Sequence, residues 1–281
     1  MQQRAIAIHD ISCVGRCSLT VALPVLSAAG VNTAIVPTAL LSTHTGEFTG
    51  YTHLDLSSQL SPIAKHLSTL GLHFDAFYTG YLASGAQVAE VLRMAQLLCD
   101  ERTHVFVDPA FADHGRMYSL MSEDMPAQMR KLCARARTIV PNLTEATLLL
   151  GERCEDSAPD RSRVDELCRR LCDLGPQNVV ITDVSFCENE TGAAIYQRGM
   201  SAPVYSFRKR FDGVFHGTGD VFASLLLSAL LNGWTLERAA ELALDLTHKS
   251  IELTLEAGEP LRYGVQFERV LPELWKRLNA K

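Results

Sequence analysis

The chain has 281 residues, 47% of them hydrophobic, and a formal net charge of −6. That is ample material for a sizeable core, and the acidic balance argues against nucleic acid or an anionic membrane surface as a partner. No apolar run nears the roughly 18 residues a membrane span needs, and the start, MQQRAIAIHDIS, lacks a signal-peptide layout.

In chain order, AIAIHD (5–10) predicts a strand and LTVALPVLSAAG (19–30) a helix closed by glycine. NTAIVPT (32–38) predicts a strand, 56–71 a helix, AFYTGY (76–81) a strand and 86–100 a helix. HVFVDPA (104–110) predicts a strand, 124–136 a helix, RTIVPN (137–142) a strand and LTEATLLLG (143–151) a helix. A helix at 160–175 and a strand at 178–184 come next, then a hairpin from 193–198 and 202–207. From Gly217 onward the pattern is helical throughout. Strands such as VFVD and VVIT are apolar on both faces, as in a parallel sheet covered by helices on each side. The β–α alternation therefore predicts an α/β fold with a central, mostly parallel sheet, in a single domain spanning 1–281. The eight cysteines include no CxxC pair and the nine histidines no HExxH. Reduced thiols in a cytoplasmic protein are expected, rather than disulfides or a zinc site.

Ligands in such folds bind beyond the carboxyl ends of the strands. Asp10 and Ser12 follow the first strand, STHTG (42–46) the second, and TGY (79–81), DPAFADHG (108–115), PNLTE (141–145) and Thr182-Asp183 close later ones. Any one of these could be an ordinary helix cap; six on one rim suggest a site. A further candidate is Gly217-Thr218-Gly219-Asp220, directly before the apolar run VFASLLLSALL. Glycines leave consecutive N–H groups open at a helix start, which makes an anion site. A carboxylate beside that anion needs a purpose. Orienting an alcohol and accepting its proton during phosphoryl transfer is one. The helix N-terminus is expected to keep Asp220 ionised at neutral pH. The plainer alternative is an aspartate that only caps the helix.

The stretches SCVGRCSLTVALPVLSAAG (12–30), PTALLSTHTGEFTG (37–50), YTGYLAS (78–84), VDPAFADHGRMYS (107–119), PNLTEATLLLGE (141–152) and GTGDVFASLLL (217–227) follow one another in a telling order. Together they resemble the ribokinase superfamily, and more closely its pyridoxal/pyridoxine (vitamin B6) kinases. The resemblance implies a ribokinase-like kinase with ATP as co-substrate, Mg²⁺ as cofactor, a monovalent cation as a further candidate, and a homodimeric assembly. It implies Asp220 as base toward the 5′-hydroxymethyl group, and Gly217, Thr218 and Gly219 as the hole for the γ-phosphate. Ser12, His44, Thr45 and Tyr81 would hold the pyridine ring. Asp108, Asn142, Thr182 and Asp183 would line the nucleotide, with Glu145 and Asp108 organising Mg²⁺.

Two departures stand out. Ala110-Phe111-Ala112 replaces a Val-Met-Gly common in the family, so a stiffer loop with Phe111 crowding the phosphates is expected. His216 stands where some relatives have a cysteine. A hydroxymethylpyrimidine kinase and a non-catalytic vitamer-binding protein are the alternatives. An inserted β-lid of the sugar-kinase kind is not expected, because the gap before the helix at 56–71 is short. Lys249 is expected to be a surface lysine.

Overall fold

The computed structural model describes residues 2–118, 121–154 and 159–280. Its strands are β1 (Arg4–Ser12), β2 (Asn32–Leu41), β3 (His53–Asp55), β4 (Ala76–Thr79), β5 (His104–Val107), β6 (Ala112–Asp113), β7 (Arg116–Met117), β8 (Thr138–Ile139), β9 (Asn178–Val184), β10 (Glu190–Gln197) and β11 (Val204–Lys209). Nine of them form one sheet in the order β11-β10-β9-β8-β5-β4-β1-β2-β3. The pairs from β9 through β8, β5, β4 and β1 to β2 are all parallel. The added strand β3 and the β10–β11 hairpin are antiparallel.

The helices are α1 (Leu19–Ala28), α2 (Ser57–Ser68), α3 (Gly85–Leu98), α4 (Met125–Cys133), α5 (Leu143–Leu149), α6 (Arg161–Asp173), α7 (Thr218–Leu231), α8 (Leu236–Ala257) and α9 (Leu271–Asn279). Alternation along β1 explains the two layers. Ala5 and Ala7 join a core with α1, α7, α8 and α9, while Ile6 and Ile8 join a second core with α2 to α6. Several helix starts follow from short polar side chains that accept the otherwise unbonded first-turn N–H groups. Ser84, Asn142, Asp160 and Thr235 each do so.

Four features differ from the sequence expectation. β3 fills part of the gap before α2, and β6 pairs with β7 in a two-stranded ribbon. Both are too short to give a period-2 signal. The C-terminal part is not all helix, because Gly258 takes a left-handed conformation and ends α8. Two short 3₁₀ turns, Leu261–Tyr263 and Phe267–Val270, precede α9. Fourth, the Phe111 side chain is fully buried in the second core. Burying a phenylalanine stabilises by roughly 1.5–3 kcal/mol, enough to anchor its loop to the protein interior. Ser119, the last residue of the 107–119 stretch, lies outside the described residues.

The chain runs from β1 outward to β2 and β3, then returns to the other side of β1 to build β4, β5, β8 and β9. The direction of winding therefore reverses between β1 and β4. Their carboxyl ends carry Asp10, Ser12 and, just beyond β4, Tyr81.

Candidate active site

Helix α7 begins at Thr218, behind Gly217 in a left-handed conformation with φ 76°. A Cβ on Gly217 would stand 1.9 Å from the carbonyl oxygen of Arg16. Only glycine lets the turn pack backbone to backbone against the segment after β1. Among the described residues no acceptor bonds the N–H groups of Thr218, Gly219 or Asp220. A Cβ on Gly219 would meet nothing within 4 Å, so the space beside this residue is open. The Thr218 hydroxyl donates to the Phe215 carbonyl at 3.1 Å and holds the turn instead of reaching outward. Together these give an unobstructed anion cradle at the positive end of a 14-residue helix.

Asp220 sits in the first turn of α7. It keeps part of its surface open, yet its carboxyl group is enclosed by protein. Burial first, and then the neighbouring Asp108 carboxylate, push it up to about 8, against the pull of the Ser18 backbone N–H. The helix terminus thus does not keep this carboxylate ionised at neutral pH in the free protein. Desolvation beside like charges works against the ionised form. One turn along α7, Ser224 lies 3.2 Å from the hydroxyl of the fully buried Tyr78.

Asp10, near the end of β1, is only 5% exposed. Ser18 donates its hydroxyl to Oδ1 at 2.6 Å, and the Ser12 hydroxyl lies 3.4 Å from Oδ2. Ser18 has φ 52°, unusual for a residue with a side chain. In that conformation its hydroxyl serves Asp10 while its N–H faces Asp220. Tyr81 is pushed up to about 12 by burial and then by Asp10, so it shares this corner. Ser12 and Tyr81 are thus both neighbours of Asp10. Ser18 was missed because nothing in its sequence context signals a positive φ.

His44 is placed differently from its expected role. Nε2 lies 2.6 Å from the Arg262 carbonyl, and Nδ1 accepts the Gly46 N–H at 3.1 Å. Both nitrogens are committed to backbone, so His44 ties the 42–46 loop to the Leu261–Tyr263 turn and leaves no polar atom for a ring substituent. Its ring lies 5.0 Å from that of His216, which packs against Gly46. Among the described residues the buried Nε2 of His216 has no hydrogen-bond partner. Thr45 is exposed.

A second group of carboxylates lies beyond β5 and β8. Asp108 is buried and pushed up by desolvation and then by Glu145. Glu145 is 2% exposed and also raised by burial, although three backbone N–H groups oppose this. Those N–H groups are Phe111 at 2.8 Å, Ala112 at 3.3 Å and Asn142 at 2.9 Å. Asn142 caps α5 and donates its amide to the Ala112 carbonyl at 2.8 Å. Glu145 and Asn142 therefore act first as braces for the 108–115 loop. Thr182 lies beside Asn142 through a parallel bridge, and the exposed Asp183 accepts the Thr191 hydroxyl at 3.3 Å. Among the described residues no three His, Cys, Asp or Glu side chains form a metal cluster. Two neighbouring buried carboxylates without a cationic partner do fit a hard cation that keeps several waters.

A family model described as phosphomethylpyrimidine kinase matches residues 21–263. Pyridoxal kinase from Homo sapiens is 28% identical over 263 residues, covering 80% of this chain and 79% of the relative. Among solved structures, a candidate phosphomethylpyrimidine kinase from Bacteroides thetaiotaomicron, in a crystal form with pyridoxal, superposes with TM-score 0.92 at 33% identity. It covers 98% of this chain and 96% of that one. Pyridoxal kinase from Lactobacillus plantarum gives TM-score 0.90 at 30% identity, covering 99% and 98%. The glycine turn, its aspartate and the strand-end polar groups thus sit in a shared architecture along nearly the whole chain, and the protein belongs to the pyridoxal kinase family of the ribokinase superfamily.

Proposed function

We propose that this chain phosphorylates the 5′-hydroxymethyl group of pyridoxal, pyridoxine or pyridoxamine with ATP. The observation that carries the reading is the open N–H row at the start of α7, with the Asp220 carboxyl beside it and the Asp10, Ser12 and Tyr81 group nearby. In this reading the hydroxymethyl oxygen attacks the terminal phosphorus of ATP. The new O–P bond forms as the bond to the bridging oxygen breaks and ADP departs. Asp220 takes the hydroxyl proton, which the loose transition state releases late. The open N–H groups of Thr218, Gly219 and Asp220, presented by the Gly217-Thr218-Gly219 turn, meet the charge on the transferring group. Asn142, Thr182 and Asp183 lie on the nucleotide side, and His44 shapes the pocket wall. Asp108 and Glu145 would hold Mg²⁺, which when bound supplies positive charge among the phosphate oxygens.

A second reading, phosphorylation of a hydroxymethylpyrimidine, is favoured by the description of the matching family model. ADP release with ATP and Mg²⁺ against the three B6 vitamers, hydroxymethylpyrimidine and ribose separates the two. Turnover on B6 vitamers well above the rest is the expected result. Turnover mainly on the pyrimidine would reassign the ring pocket, and vitamer binding without turnover would identify a binding protein.

Cytoplasmic residence is supported by eight free cysteines. A homodimer is supported by the sheet edge, where β2 and β3 expose Ile35, Leu40 and Leu54. Light scattering should give twice the chain mass; a monomer at assay concentration would remove the dimer.

A further inference from the structure

Asp10 is a buried carboxylate for which no lysine or arginine provides an ion pair among the described residues. Its only hydrogen-bond partners there are hydroxyls, Ser18 on one oxygen and Ser12 on the other. A carboxylate offers about four lone-pair directions, so acceptor capacity remains. The Ser12 proton is drawn toward Asp10, which leaves the Ser12 oxygen as an acceptor too. This corner, shared with Tyr81 and the largely buried Cys17 thiol and close to Asp220, is therefore rich in acceptors, with the exposed His53 imidazole nearby. The group that completes it must bring a hydrogen, and preferably a positive charge.

We propose that Asp10 is the specificity-determining residue of the ring pocket, accepting a hydrogen bond from the protonated ring nitrogen of the substrate. The inference rests on the B6 reading above, since a pyridine ring with an electron-rich oxygen substituent is a base that can enter as pyridinium. Carboxylates serve this purpose toward the pyridinium nitrogen of the B6 cofactor elsewhere in protein chemistry. Burial raises the Asp10 carboxyl above the ordinary range, as expected of a site lacking its cation. Ser18 is the positioning residue. Its hydroxyl fixes Asp10 and its N–H faces Asp220, so ring recognition and the base are held by one residue.

The test compares pyridoxine with N-methylpyridoxinium, which carries the ring charge but no N–H. Calorimetry with the full chain should show N-methylpyridoxinium binding roughly tenfold to a hundredfold more weakly than pyridoxine, the range of a charge-assisted hydrogen bond. In Asp10→Asn that gap should shrink to the steric cost of the methyl group alone. KM for pyridoxine should rise by a similar factor, with kcat within about threefold. Equal binding of the two ligands by the unsubstituted protein overturns the proposal, whether or not the variant folds. So does an Asp10→Asn variant that loses kcat with KM unchanged, which would mark Asp10 as structural support for Ser18 and Asp220. If neither ligand binds while hydroxymethylpyrimidine is turned over, the B6 reading itself fails and this inference falls with it.

Discussion

Replacing Asp220 with asparagine should leave vitamer and ATP binding intact and lower kcat by about 10²–10⁴-fold, the range removed with a positioned general base. The isosteric amide keeps the space but cannot take the hydroxyl proton. The burial that raises the Asp220 carboxyl to about 8 adds a pH signature. With substrate below saturation, kcat/KM should climb as pH rises toward 8 and the base loses its proton, and the residual activity of the variant should lack that rise. Stability should move in the opposite sense. The folded state holds this proton more tightly than the unfolded chain, so the contribution of Asp220 to stability is full below its unfolded value near 4 and drains away as pH approaches 8. Asparagine does not ionise, so the Tm of the variant relative to the unsubstituted protein should improve from pH 5 to pH 8. A variant with near-normal kcat would refute the base assignment, and a Tm difference independent of pH would refute the raised carboxyl.

The two glycines of the turn should respond in opposite ways to alanine. Gly217→Ala meets both a left-handed backbone, costing about 1–2 kcal/mol for a residue with a side chain, and a Cβ 1.9 Å from the Arg16 carbonyl oxygen. Overpacking of this kind adds about 1–3 kcal/mol, and neither atom is the free end of a flexible group. The turn must move, so Tm should fall and activity should drop at least about a hundredfold, as misplacement by an ångström does. At Gly219 nothing lies within 4 Å and the backbone is not left-handed. Alanine there should preserve or slightly raise stability, by up to about 0.5–1 kcal/mol for a helical glycine, with Tm unchanged or higher. Activity should still fall, because the new methyl group occupies the open space beside the N–H row. Equal thermal losses for the two variants would show that Gly217 has no special conformational role.

Much of the fold is legible in the chain because its signals are long and periodic. The apolar strands and the amphipathic helices α3, α4 and α6 declare themselves over many residues. β3 and the β6–β7 ribbon span two or three residues each and owe their form to their partners. At the site, residue identity was readable while bonding state was not. The tautomer of His44 is set by Arg262, 218 positions away, and no local pattern encodes that. The raised carboxyl of Asp220 is not legible locally, because the helix dipole belongs to its own turn, whereas burial first, and then Asp108 just beyond β5, are supplied by the rest of the fold. Phe111 was judged against a family pattern, but the core beneath it decided its direction.

The site walls come from distant parts of the chain. Arg16 donates its N–H to the Tyr263 carbonyl and packs its own carbonyl on Gly217, while His44 holds Arg262. Contacts of such long range form late in folding, after loop closure has been overcome. During synthesis the first two-thirds of the chain can pair β1, β2, β4, β5, β8 and β9 before α7 or the Leu261–Tyr263 turn exists. A nascent chain would therefore own a sheet and the group around Asp10, but no anchor for the 42–46 loop and no anion cradle. Vitamer and nucleotide become available as stabilising ligands only at the last stage of assembly, when the C-terminal third closes over the first strand.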